Sequence, residues 1–175
     1  GLKKVHLYHP DIVVTDQMMP EMDGLEMLQS IRKDFQISHI PVIILTAKND
    51  EDAKTKAITL GANAYITKPF SKEYLLARID QLLSERLLFR ERIRLQMENQ
   101  KTTEEDSYEQ YLVKKDVQFL EKIHQVIEEN MDDSDFNIDT IASGIGLSRS
   151  AFFKKLKSLT GLAPVDLVKE IRLNK

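Results

Sequence analysis

Three short apolar runs, separated by helix-period segments, constrain the first half of this chain more than any other feature. Ile12-Val13-Val14-Thr15 and Val42-Ile43-Ile44-Leu45 are rich in β-branched residues and short enough for buried parallel strands, and Ala64-Tyr65-Ile66-Thr67 makes a third. Between them Leu25, Leu28, Ile31 and Phe35 recur at helical spacing, as do Ala53, Ala57 and Leu60. Gly61 stands where a glycine at a helix C-terminus belongs. Strand–helix–strand–helix–strand implies right-handed crossovers, so residues 1–83 are predicted to be an α/β domain, a parallel sheet with helices on its faces.

The rest of the chain carries only helix signals. Ser71 is placed to cap a long helix through Tyr74, Leu75, Ile79, Leu82 and Leu83, whose pattern continues past Leu87 and Ile93 to the neighbourhood of Met97. A heptad over positions 75, 79, 82, 86, 89 and 93 can be drawn and would allow a homodimer, but Arg86 falls in its seam. An amphipathic helix leaving its domain is the simpler account. Residues 99–116 are polar and aperiodic, so 84–116 is read as a helical then polar linker. Beyond it Val117, Leu120, Ile123 and Ile127 form one stripe, and Asn137 is placed to cap a short helix from Ile138 to Ser143. Ser148 is placed to cap a third helix with Phe152, Leu156 and Leu159 inward, Gly161 ends it, and Pro164 opens a fourth with Leu167, Val168 and Ile171. This gives an all-α domain over 117–175. Leu2-Lys3-Lys4-Val5 resembles the tail of a helix and the last stretch has no stop signal, so a piece cut at both ends is expected.

Composition mostly excludes. With no cysteine there is no disulfide scaffold, thiolate metal site or thiol nucleophile. His6, His9, His39 and His124 lack metal-ligand spacing, and the methionines at 18, 19, 22 and 27 read as loop and core packing. A net charge of −3 gives no overall basic footprint. No apolar run approaches the roughly 18 residues of a membrane span, and no signal peptide opens the chain. A cytoplasmic location without membrane contact is expected.

The strand ends carry the chemistry. Asp16 follows the first strand, Thr46 closes the second with an expected exposed hydroxyl, and Lys68 follows the third just before Pro69-Phe70. In open α/β sheets this carboxyl edge is where ligands bind. A carboxylate can attack a phosphoryl group, and the transferred group needs positive charge and donors, which Lys68 and Thr46 offer. A hard dication such as Mg²⁺ would be expected to bridge the carboxylate and phosphoryl oxygens.

PDIVVTDQMMPEMDG (10–24), ILTA (44–47) and GANAYITKPF (61–70) resemble the receiver domain of bacterial two-component response regulators, a flavodoxin-like (CheY-like) fold. The resemblance implies that Asp16 is the phosphoacceptor, Thr46 the switch hydroxyl, Lys68 the phosphate-pairing lysine and Tyr65 the switch aromatic. It further implies a cis bond before Pro69 and a metal contact from the Met18 backbone carbonyl beside Asp16. The acidic pair with which the family holds Mg²⁺ does not occur upstream of Asp16, and the family's first strands are missing, leaving the Asp16 strand as an edge. Inefficient phosphorylation of the isolated piece is therefore expected. A haloacid dehalogenase-type phosphatase would need a second aspartate at position 18, where Met18 stands.

The helical half shows a second constellation. Ser148–Thr160 carries Arg149, Lys154, Lys155 and Lys157 with no acid, while Asp132, Asp133, Asp135 and Asp139 cluster upstream. A basic second helix after a short capped one is the docking pattern of a major-groove reader. FNIDTIASGIGLSRSAFFKKLKSLTGLAPVDLVKEIRL (136–173) resembles the first helix-turn-helix of AraC/XylS transcription factors. That resemblance places Ser150, Ala151, Phe153 and Lys154 on the base-reading face and makes Arg149 and Lys157 mainly phosphate contacts. The family's second motif is absent, so weak specific binding by this piece alone is expected. Together the two resemblances imply a two-component transcription regulator, phosphorylated by a histidine kinase and binding double-stranded DNA. The chain itself is not expected to be an enzyme. Its parent would be a hybrid sensor histidine kinase or a stand-alone regulator. The competing expectation is a phosphorylation-independent DNA-binding protein that uses the receiver to dimerise.

Overall fold

The computed structural model describes residues 1–47, 51–99, 114–130 and 136–173. The chain divides into two compact units, Gly1–Arg86 and Leu87–Lys175. Their elements in chain order are α1 (Leu2–Tyr8), β1 (Val13–Asp16), α2 (Gly24–Lys33), β2 (Val42–Thr46), α3 (Glu51–Thr59), β3 (Ala64–Thr67), α4 (Lys72–Asn99), α5 (Lys114–Glu129), α6 (Ile138–Gly144), α7 (Arg149–Thr160) and α8 (Pro164–Leu173).

In the first unit the strands form a parallel three-stranded sheet in the order β1-β2-β3. Val13 pairs with Val42 and Asp16 with Leu45, while Ile43 pairs with Ala64 and Thr46 with Thr67. Pleat alternation then separates two cores. Val13, Val42 and Ile44 pack with Met27, Leu28 and Ile31 of α2 and Ala57 of α3. Ile43 and Ile66 pack on the opposite face with Leu75, Ile79 and Leu82 of α4. The expected parallel α/β domain is present, with its first strand one residue later than expected, so that Asp16 belongs to the strand itself.

Local chemistry accounts for the helix ends. A reciprocal capping box starts α2: Asp23 accepts from the Glu26 N–H at 2.7 Å, and Glu26 accepts from the Asp23 N–H at 3.1 Å. The helix stops before Phe35, which was expected on it, because the Asp34 carboxylate accepts the Gln36 N–H at 2.8 Å and competes with the helical ladder. Gly61 adopts a φ of 90° after α3, and the Ser71 hydroxyl accepts the Tyr74 N–H at the start of α4. Arg86 donates to the Asp11 carbonyl at 3.0 Å, so the cation in the expected heptad seam is used within its own unit.

At the amino edge of the sheet Arg32 acts as a fork. Its guanidinium donates to the carbonyls of Ser38 and Ile40, both at 2.8 Å, to the Gly61 carbonyl and to Asn63 Oδ1. Asn63 Oδ1 also accepts the Val42 N–H at 2.9 Å, so the lead-ins to β2 and β3 share one set of bonds.

The second unit is helical throughout its described residues. Phe119, Ile123, Ile127, Ile141, Phe152, Leu156 and Leu167 are buried, and Phe119 meets Phe152 with ring centroids 6.1 Å apart. Asn137 caps α6 by accepting the N–H groups of Asp139 and Thr140, and Ser148 caps α7 by accepting that of Ala151. Gly146 and Gly161 take φ values of 73° and 78° at the turns, as their positions in the sequence require. Arg90 donates to the Ser158 carbonyl at 2.7 Å, satisfying the last turn of α7.

Two expectations are corrected here. First, α5 begins at Lys114, inside the segment read as linker, and its buried face starts at Asp116 and Phe119; Leu120 is only half-buried. Second, Lys155, counted among the basic residues that give α7 its charge, is fully buried and paired with Asp116 at 2.8 Å, its ammonium lying 5.0 Å from the Phe119 ring centroid. An acid and a base on facing helices read as solvated charges in a sequence, and only packing shows that they neutralise each other. The side chains of Ile93, Met97, Val117 and Ile171, residues 100–113 of the linker, and Asp132, Asp133 and Asp135 lie outside the described residues.

Candidate functional site

Asp16 closes β1 at the carboxyl edge of the sheet. The ladder continues one step past it, because the Gln17 N–H donates to the Leu45 carbonyl at 2.7 Å. Lys68 is brought alongside by β3: its N–H donates to the Thr46 carbonyl at 2.6 Å, and the Lys68–Pro69 bond is cis, as expected. The Lys68 ammonium is hydrogen-bonded to Asp16 Oδ2, while Oδ1 accepts the Met18 N–H at 3.2 Å. Both charged side chains remain more than a third exposed, at 39% for Lys68 and 36% for Asp16, so the pair is open to a ligand from solvent.

The electrostatics follow. The hydrogen bond from Lys68 holds the Asp16 carboxyl below its ordinary range, the Met18 N–H adds to the effect, and desolvation opposes it without winning. Lys68→Met should therefore raise the Asp16 pKa toward the usual carboxylate value, as read by carboxyl NMR titration. A depressed native pKa contributes stability that is present above the unfolded-state pKa and lost as pH falls through the native one. The Lys68→Met protein should accordingly lose less stability across that acid limb than the unsubstituted protein.

Thr46 and Tyr65 are placed differently from Asp16 and Lys68. Thr46 is 1% exposed, which corrects the expected exposed hydroxyl. It follows Leu45 on the central strand, and alternation turns its side chain to the face of Val42 and Ile44. Tyr65 packs on that same face, and its O–H donates to Gln17 Oε1 at 3.1 Å.

Gly24 was missed as a site residue, although the Asp23-x-x-Glu26 capping box could have located it. A Cβ at Gly24 would lie 2.5 Å from the Asp16 carbonyl oxygen, and its N–H donates to the Gln17 carbonyl at 2.9 Å. The backbone of Asp16 is seated directly on the first turn of α2. Gly24→Ala should displace that backbone and destabilise the unit by about 1–3 kcal/mol, measured by denaturant midpoint.

A hard dication such as Mg²⁺ needs several oxygen ligands. Asp16 offers one carboxylate already engaged by an ammonium, and Met18 presents its N–H to it. Among the described residues no group of three or more His, Cys, Asp or Glu could hold a metal ion. With a single carboxylate in reach, these residues alone do not fit Mg²⁺.

In the second unit Arg149, Ser150, Phe153, Lys154 and Lys157 are exposed along α7. Lys157 Nζ lies 6.0 Å from the Phe153 ring centroid, and Arg149 pairs with Asp139 at 3.0 Å across α6 and α7. Ala151 is a correction: it is buried, on the same face as Lys155 and Leu159 one and two turns on, and cannot read bases from there.

The first unit is thus a parallel α/β domain that holds an aspartate against a lysine at the carboxyl edge of its sheet. Residues 1–80 match the family model of the response regulator receiver domain. The whole chain is 32% identical over 177 residues to Histidine kinase P4 of Formosa agariphila, covering 100% of this chain and 12% of that protein. It is 44% identical over 84 residues to Hybrid signal transduction histidine kinase D of Dictyostelium discoideum, covering 48% of this chain and 5% of that protein. It is 42% identical over 74 residues to Phosphate regulon transcriptional regulatory protein PhoB of Pseudomonas aeruginosa, covering 42% and 32% respectively. The chain thus spans a minor part of each of these relatives. Among the described residues no helix is long and apolar enough to cross a membrane.

Proposed function

We propose that this chain is the receiver and output segment of a two-component transcription regulator, in which Asp16 accepts a phosphoryl group from a histidine kinase. The observation that carries this reading is the Asp16 carboxylate, kept ionised by Lys68 and the Met18 N–H at an exposed strand end. An Asp16 oxygen attacks phosphorus, the phosphorus–nitrogen bond to the donor imidazole breaks, and the electron pair remains on that nitrogen. Lys68, already within reach, stays to pair with the phosphoryl oxygens. Thr46 and Tyr65, on the other face of the sheet, would reposition in response. The chain consumes one phosphoryl group per event and is a substrate of its kinase rather than a turnover enzyme. The alignment of this chain with 12% of Histidine kinase P4 supports a hybrid kinase as the parent. Incubating the full-length protein with a phosphohistidine donor should give a hydroxylamine-sensitive acyl phosphate that maps to Asp16. A label on another residue, or none, would refute the assignment.

The second unit is proposed to be the first helix-turn-helix of an AraC/XylS-type domain that binds double-stranded DNA, supported by the exposed cations of α7 after a capped turn. In the full-length protein Lys154→Ala should relax base preference by about 1–3 kcal/mol at one position. Lys157→Ala should weaken binding to all sequences and reduce the salt slope by about 1. Salt-series anisotropy titrations on specific and random duplexes separate the two effects. DNA binding that ignores Asp16 phosphorylation would instead favour a receiver serving only to dimerise.

A further inference from the structure

Gln17 has no part in the transfer chemistry, yet its backbone N–H, its backbone carbonyl and its side-chain Oε1 are all used. Its N–H donates to the Leu45 carbonyl at 2.7 Å and its carbonyl accepts the Gly24 N–H at 2.9 Å. These bonds fix its backbone between β2 and the start of α2. Its side-chain Oε1 accepts the Tyr65 O–H at 3.1 Å. Alternation along β1 sends Asp16 to one face of the sheet and carries the line of Val13 and Thr15 on toward Gln17 on the other, where Tyr65 packs. Tyr65 is thus tied to the phosphoacceptor through the neighbouring residue, with backbone bonds pinned on both sides.

We infer that Gln17 is a positioning residue: its amide oxygen holds the Tyr65 ring in the unphosphorylated receiver, and movement of the Asp16–Gln17 backbone on phosphorylation resets that hold. This rests on the reading of Asp16 as the phosphoacceptor. A single neutral hydrogen bond contributes little net free energy, which suits a restraint that a new charge next door must be able to overcome. The bond needs only an acceptor at this reach, so glutamate can replace glutamine and leucine cannot.

The test uses the full-length protein labelled with fluorotyrosine and read by fluorine NMR, with the Tyr65 signal assigned from its loss in Tyr65→Phe. In unphosphorylated Gln17→Leu the Tyr65 signal should be displaced and narrowed, while the other tyrosine signals stay in place and report an intact fold. Gln17→Glu should return it toward its original position. On phosphorylation of the unsubstituted protein the Tyr65 signal should move in the same direction as in Gln17→Leu. An unmoved Tyr65 signal in Gln17→Leu overturns the inference, as does phosphorylation at Asp16 with no response from Tyr65. The acyl phosphate itself is measured separately, so its absence at Asp16 refutes the phosphoacceptor reading and is not confused with a Gln17 effect.

Discussion

Replacing Asp116 with alanine is expected to destabilise the second unit by roughly 3–5 kcal/mol, enough to unfold much of the population near physiological temperature. The reason is what it leaves behind. Lys155 is completely buried, and its side-chain ion-pair partner is 2% exposed, so water cannot take over the role of the carboxylate. The Phe119 ring, 5.0 Å away, offers an attraction to the ammonium that is well below the cost of taking the carboxylate away from a buried cation. Lys155→Met should be destabilising for the mirror reason, because it takes the ammonium away from the buried Asp116 carboxylate. Replacing both by apolar residues of similar volume should restore most of the loss. Urea denaturation of the four proteins forms a double-mutant cycle, and a strongly negative coupling between the two sites is the expected result. Additive single effects would show that the pair is not a unit.

Asp16→Asn should remove phosphoryl acceptance entirely. The amide is nearly the same shape, retains an acceptor oxygen for the Met18 N–H, and loses the negative charge that pairs with Lys68 and, in the proposed transfer, attacks phosphorus. Because the side chain is 36% exposed, its neutralisation should leave the fold in place, and circular dichroism should be unchanged. The predicted outcome is therefore a folded protein whose hydroxylamine-sensitive label falls to background. Residual labelling at the original level would place the acceptor elsewhere. Asp16→Glu keeps the charge but moves it one methylene out of register with Lys68, so its yield of acyl phosphate should fall far below that of the unsubstituted protein.

Much of this molecule was legible because local signals are short-range. The β-branched runs at Val13, Val42 and Ile66 found the sheet, and caps at Ser71, Asn137 and Ser148 found the helix starts. The proline after Lys68 was expected to be cis and is. What escaped depends on partners distant in sequence. Lys155 looks like a DNA-facing cation until Asp116 is placed opposite it. Ala151 looks available for base contact until α7 is rotated to bury the face it shares with Leu159. Thr46 looks exposed at a strand end until its strand proves to be the central one. Gly24 looks like a loop residue until the Asp16 carbonyl is found where a side chain would have been.

The Arg32 fork gives the first unit a mechanical asymmetry. Five donor–acceptor contacts rivet the lead-ins of β2 and β3 to the end of α2, at the amino edge of the sheet. β3 is thus a cantilever, clamped at Asn63 and loaded at its tip, where Lys68 reaches Asp16. A push at the tip bends such a beam most at the loaded end and leaves its root still. Displacement caused by a phosphoryl group should then grow along β3 from Ala64 to Thr67, confining the signal to the carboxyl rim.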